Sequence, residues 1–305
     1  MFTYRCKIRS HKFVIRCLAI HLASSAILAL TGCNLNEGLP RNQPLQGARY
    51  VALGSSFAAG SGIGAIQVGT PERCGRSQSN YATLLAQRLD LILDDQSCGG
   101  AMTSHILNPW RELPAQIDAV TADTRLVTLL VGGNDIGYVG HLLAGTCRAM
   151  GMKAVNLGKT TLPCEDLLAL SIPSETAYRE LRDNLRRIAD IVHVRAPQAR
   201  LVFVQYITLV TDKNCLDAQL LPTDRKNAQE IGLRLAKVTA EIALEKGATV
   251  LASDELSHNH SPCDRESWAI GFPRDPNAIP GAAWHPNLVG HAAIADALAK
   301  KLSKL

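Results

Sequence analysis

Short apolar runs bounded by turn residues alternate with longer stretches of helical periodicity along this chain. Arg49–Gly54 (RYVALG), Arg125–Gly132 (RLVTLLVG), Leu201–Tyr206 and Thr249–Ala252 have the length and bounds of buried strands, and Leu91–Leu93 reads as a further short one. Helical spacing appears after Ser79-Asn80, at Tyr81, Leu84, Leu85 and Leu89, and weakly over Leu113–Val120. Ser174–Val194 is an amphipathic helix with Leu181, Leu185, Ile188, Ile191 and Val192 on one face. Thr223–Lys246 and Pro286–Leu302 complete the predicted helices, and His141–Pro173 reads as a long, mostly irregular insertion. Arg125–Gly132 is apolar on both faces, as a central parallel strand requires. The alternation predicts an α/β fold, a three-layer α/β/α sandwich with a central parallel sheet in one domain spanning residues 48–305.

Charge changes the picture only at the amino terminus. The net charge is +5, but residues 1–32 carry five basic residues and no acidic one, and the remainder balances at 27 basic and 27 acidic. The basic excess therefore gives no support for nucleic-acid binding. A basic region through Arg16 precedes the apolar run Cys17–Leu30, the layout of a secretory signal over residues 1–32. The run ends Leu30-Thr31-Gly32-Cys33, which resembles a bacterial lipobox and implies lipid modification of Cys33. Residues 33–47 are polar with Pro and Gly and read as a tether. The expectation is an exported, membrane-anchored lipoprotein, periplasmic or at the cell surface. Asn34 after Cys33 is compatible with the outer membrane if the host has two membranes.

Six of the nine cysteines lie beyond Cys33: Cys74, Cys98, Cys147, Cys164, Cys215 and Cys263. An even count in an exported protein implies three disulfides. Among the fifteen pairings six cysteines allow, the sequential one (74–98, 147–164, 215–263) is taken as the expectation. No pair has the close spacing of a structural zinc site, and neither a metal nor an organic cofactor is expected.

Candidate chemistry clusters where predicted strands end. Gly54-Ser55-Ser56, Cys98-Gly99-Gly100 and Gly132-Gly133-Asn134-Asp135 each follow a strand, and Trp284-His285-Pro286-Asn287 precedes the last helix. In an open α/β sheet ligands bind outside the carboxyl ends of the strands, so these segments are compatible with one site. Two adjacent serines leave the nucleophile open on local grounds alone.

In order and content these blocks resemble the SGNH, or GDSL, hydrolase superfamily over about residues 49–302, and the six cysteines are similar to those of its secreted bacterial esterases and lipases. The resemblance implies a flavodoxin-like fold and hydrolysis of acyl esters, with Ser56 as nucleophile and His285 as base. It implies an oxyanion site made of the Ser56 and Gly100 N–H groups and the Asn134 side chain. A glycine at 100 is expected because a side chain would obstruct backbone approach. Two positions depart from the family pattern. Ser55 stands where Asp is usual, and Ala282 stands where an acid usually supports the histidine. The Ala282 carbonyl is the candidate to orient His285, with Asp254 or Asp264 as a displaced acid. His291 is expected to be structural or on the surface, and His141, His193, His258 and His260 have no assigned role. A carbohydrate deacetylase or acyltransferase, or a surface lipoprotein that only binds, are the alternatives. The expected partners are an ester or lipid substrate and a membrane, on a monomeric protein.

Overall fold

A computed structural model describes residues 45–157, 160–272 and 281–304. The expected signal segment, Cys33 and the expected tether up to residue 44 lie outside them. Leu45 packs on the core and the Gly47 N–H donates to the Asp90 carbonyl at 2.6 Å, so residues 45–47 belong to the folded part and not to the tether.

The described chain runs β1 (Arg49–Gly54), α1 (Ser56–Ala59), α2 (Tyr81–Leu89), β2 (Ile92–Asp95), α3 (Thr103–Leu107), β3 (Thr124–Leu130), α4 (Tyr138–Met150), β4 (Ala154–Leu157), β5 (Thr160–Pro163), α5 (Cys164–Leu168), α6 (Glu175–Arg195), β6 (Arg200–Val204), α7 (Pro222–Glu245), β7 (Thr249–Leu251), α8 (Ser253–Leu256) and α9 (Leu288–Leu302). Five strands form a parallel sheet in the order β2-β1-β3-β6-β7. From β1 the chain moves one way to β2, then crosses to β3, β6 and β7 on the other side. With the right-handed connection general to parallel strands, this order places α2 on one face and α6 and α7 on the other. α9 packs on α2, and α6 packs on α7, which closes a helical layer over each face.

Strands β1 and β3 are buried almost throughout, which is why their sequences are apolar at successive positions. Between them the Tyr50 hydroxyl and Thr128 Oγ1 meet at 2.7 Å, satisfying two buried polar groups. The Asn80 side chain accepts from the Thr83 N–H and caps α2; the Ser174 hydroxyl does the same for α6 through Ala177. β3 ends two residues earlier than its apolar run, because Gly132 takes a φ of 116° and turns the chain into the Gly133-Asn134 loop.

The region expected to be an irregular insertion is folded. α4, the antiparallel β4–β5 pair and α5 fill it. Gly140 and Gly145 hide the helical pattern of α4 in the sequence. Gly145 is there for close packing on the start of α7 and the residues before it: a Cβ would sit 2.7 Å from Leu220 and 2.9 Å from Asp224. The Leu113–Val120 helix shrinks to a 3-10 turn at Gln116–Ala119. The cysteines pair 74–98, 147–164 and 215–263.

Candidate active site

The site begins at the switch point of the sheet, where β1 ends against β3. Gly54 is a steric requirement: a Cβ would lie 2.5 Å from both Ala58 Cβ and the Leu130 carbonyl oxygen. Gln116 clamps this residue, accepting from its N–H at 2.9 Å and donating to its carbonyl at 3.0 Å. The two serines that follow are not equivalent. Ser55 is 1% exposed, and its Oγ lies 3.1 Å from the Tyr206 hydroxyl. Ser56 is half-buried, and its Oγ lies 2.8 Å from His285 Nε2.

His285 is oriented by the other ring nitrogen. Nδ1 donates to the Ala283 carbonyl at 2.7 Å, which fixes the tautomer and leaves Nε2 as the acceptor facing Ser56. The expected carbonyl, that of Ala282, is one residue too early. Trp284 adopts a left-handed φ of 57°, which folds the chain back so that Nδ1 meets Ala283, while the Ala282 N–H is tied to the Ser61 carbonyl at 3.1 Å. The strained Trp284 is held by complete burial and by Nε1–H donating to Thr146 Oγ1 at 3.1 Å. Burial lowers the His285 pKa to about 4, partly offset by the Ala283 hydrogen bond. The ring is therefore neutral at neutral pH, the form a base requires. Phe57 packs on it with ring centroids 4.6 Å apart.

No carboxylate hydrogen bonds His285 among the described residues. Asp264 instead accepts from the Ser261 N–H and Oγ–H and pairs with Lys213. Asp254 lines a cavity beside Tyr206. Neither is the displaced acid that the sequence left open. His291 is fully buried, with Nδ1 accepting from the Tyr81 N–H at 3.1 Å, which makes it structural.

The expected oxyanion donors lie at the ends of β1, β2 and β3. Among the described residues, the N–H groups of Ser56 and Gly100 donate to no protein acceptor. Asn134 Nδ2 donates one hydrogen to the Ala101 carbonyl at 2.9 Å, which fixes the amide and leaves its second hydrogen available. Gly100 takes a φ of +79°, where a side chain would be strained, while a Cβ there would meet Trp110 at an ordinary 3.5 Å. The turn is anchored next door by the Cys74–Cys98 disulfide and by the Gly99 N–H donating to the Cys74 carbonyl at 2.9 Å. Asp135 accepts from the Thr103 N–H and hydroxyl, and burial still raises its pKa above the usual carboxylate range.

Tyr206 was missed in the sequence. Its hydroxyl accepts from the Gly133 N–H at 2.9 Å and meets Ser55 Oγ, so it ties the serine turn to the asparagine turn. Ser55, standing where the family pattern has Asp, thus retains a supporting role. Only the position of Tyr206 at the end of a predicted strand hinted at this. Among the described residues no three His, Cys, Asp or Glu side chains converge as a metal-holding group.

The pattern of the GDSL-like lipase/acylhydrolase family matches residues 52–293. The chain belongs to this family. It is a carboxylic ester hydrolase of the serine type. Lipase 2 of Streptomyces coelicolor is 31% identical over 254 residues, covering 80% of this chain and 78% of the relative. The fold is similar to that of phospholipase A1 from Streptomyces albidoflavus NA297, with a TM-score of 0.67 at 23% identity over 84% of this chain and 99% of the other. The extracellular lipase of Streptomyces rimosus gives a TM-score of 0.64 at 23% identity, over 83% and 99%.

Proposed function

We propose that the enzyme hydrolyses acyl esters through a Ser56–His285 dyad oriented by a main-chain carbonyl. The observation that carries this reading is the chain of hydrogen bonds from Ser56 Oγ to His285 Nε2 at 2.8 Å and from Nδ1 to the Ala283 carbonyl at 2.7 Å. Ser56 Oγ attacks the ester carbonyl as His285 Nε2 takes its proton. The imidazolium then returns that proton to the leaving alcohol, and water repeats the sequence on the acyl-enzyme. Charge on the former carbonyl oxygen is met by the N–H groups of Ser56 and Gly100 and the free amide hydrogen of Asn134. Two of these are main-chain groups held by the turns described above, so little reorganisation accompanies the charge. The Ala283 carbonyl fixes the tautomer without supplying a full negative charge; the imidazolium is stabilised by a dipole.

The substrates are esters of apolar acyl chains, in keeping with the lipase names of the relatives. Export fits the three disulfides, and lipid attachment at Cys33 would keep the domain at a membrane, where such esters are found. The test is a panel of p-nitrophenyl esters from acetyl to long-chain acyl, together with acetylated sugars, each run with Ser56→Ala. Turnover of the acyl esters that disappears in Ser56→Ala is expected. Turnover that survives the substitution removes the dyad, and turnover of acetylated sugars alone would favour a deacetylase. Incorporation of radiolabelled palmitate into the wild type but not into Cys33→Ser is expected if Cys33 carries the anchor; labelling of both, or of neither, removes it.

A further inference from the structure

Two of the three expected oxyanion donors sit on separate loops, Gly100 after β2 and Asn134 after β3, so these loops have to be held at a fixed spacing. Two links join them. Asn134 Nδ2 donates to the Ala101 carbonyl at 2.9 Å, one residue beyond Gly100. Asp135 makes the second link. Its Oδ1 and Oδ2 share the Thr103 N–H, each at 3.1 Å, and Oδ1 also accepts from the Thr103 hydroxyl. That hydroxyl oxygen in turn accepts from Asn184 Nδ2 of α6 at 3.0 Å, which leaves its own hydrogen for Asp135. Thr103 is fully buried. A chain of hydrogen bonds thus runs from α6 through Thr103 to the residue next to Asn134.

The turn after β3 does not need an acid to form. Gly132 supplies its positive φ, and the Tyr206 hydroxyl accepts from the Gly133 N–H. Nor is Asp135 a local cap. α3 is a single turn, and its own N-cap residue is Met102, which has no side-chain oxygen. The acceptor comes instead from another loop, 32 residues away in sequence. Burial raises the Asp135 pKa above the usual carboxylate range, so the ionised group is held here at a cost in stability. What it adds is rigidity between two loops. Asn134 has one amide hydrogen on Ala101 and one left for the oxyanion. A slip of the 100–103 loop past residues 134–135 would turn that second hydrogen and shift the Gly100 N–H together. A misplacement of about 1 Å costs up to about a hundredfold in rate.

We infer that Asp135 is a positioning residue: by holding Thr103 it sets the spacing of the Gly100 N–H and the Asn134 amide for the oxyanion, and it acts only through them. The inference rests on the Ser56–His285 reading. Steady-state kinetics with p-nitrophenyl butyrate test it, on variants shown to be folded by urea unfolding. Asp135→Ala is expected to lower kcat by about tenfold to a hundredfold, with KM within about twofold of wild type. In an Asn134→Ala background the same substitution should cost less than about threefold, because the donor it aligns is already gone. Thr103→Val removes the hydroxyl that Asp135 accepts from and should lower kcat in the same pattern. Thr103→Ser keeps that hydroxyl and should recover the rate. Should Asp135→Ala fail to fold, the two Thr103 variants decide. Wild-type kcat in Asp135→Ala and Thr103→Val, a loss confined to KM, an undiminished factor in the Asn134→Ala background, or equal losses in Thr103→Val and Thr103→Ser would overturn the inference. Failure of the dyad reading shows differently, as wild-type turnover that survives Ser56→Ala, and would overturn both.

Discussion

Ser56 Oγ faces a neutral imidazole, whereas Ser55 Oγ is sealed against the Tyr206 hydroxyl. The proposed choice of Ser56 over Ser55 as nucleophile rests on these partners; from the sequence alone it came only through family resemblance. The carbonyl that orients His285 was legible to within one residue. The left-handed Trp284 decides it, and no pattern announces a bulky residue at positive φ. His285 has its pKa lowered to about 4 by burial. Protonated, it cannot accept from Ser56, so kcat/KM should stay level as pH falls through the ordinary histidine range and drop only near pH 4. A pH–rate profile checks this; an acid limb near 6.5, the unperturbed value, contradicts it. Tyr206→Phe leaves the Gly133 N–H buried without its acceptor. The expected cost is about 1–3 kcal/mol in urea unfolding, with kcat lowered more than KM is raised.

Turns and helices carry these residues into register. The strands were readable because β1 and β3 are short, apolar and bounded by turn residues, and the long helices because their stripes are wide. α4 was not, because Gly140 and Gly145, set by close contacts with Leu170 and with Leu220 and Asp224, look like breaks in a one-dimensional pattern. The β4–β5 pair lacked any apolar alternation strong enough to mark it. The Cys74–Cys98 link closes a 24-residue separation and sits beside the turn that holds Gly100. Replacing both cysteines with serine should cost about 2–4 kcal/mol, measured by thermal unfolding. It should also lower kcat, since the Gly99-Gly100 backbone loses its anchor. A stable variant with unchanged kcat would show that the remaining bonds of the turn suffice.

At the scale of the whole molecule, the sheet order brings the ends of β1, β2 and β3 together, and α9 delivers His285 from the opposite end of the chain. Asn287 fixes that approach: it caps α9 through the Gly290 N–H at 2.8 Å and donates to the Ser267 carbonyl at 2.8 Å. Two buried histidines in this region make stability depend on pH. The pKa of His285 is lowered to about 4 and that of His291 to about 3, both chiefly by burial. The unfolded chain therefore binds protons that the folded one refuses. Their contribution is fully present above about pH 6.5 and is lost progressively as pH falls from there towards the folded values. Urea midpoints should decline between about pH 7.5 and 5.5, a window in which ordinary carboxylates stay ionised. The decline should shrink in His285→Gln.

The assignment of Ser56 as nucleophile is tested most directly by labelling the protein with a fluorophosphonate and locating the adduct by peptide mass spectrometry. The adduct is expected on Ser56, with labelling lost in His285→Gln. An adduct on Ser55, or no adduct on a protein that turns over esters, would contradict the account.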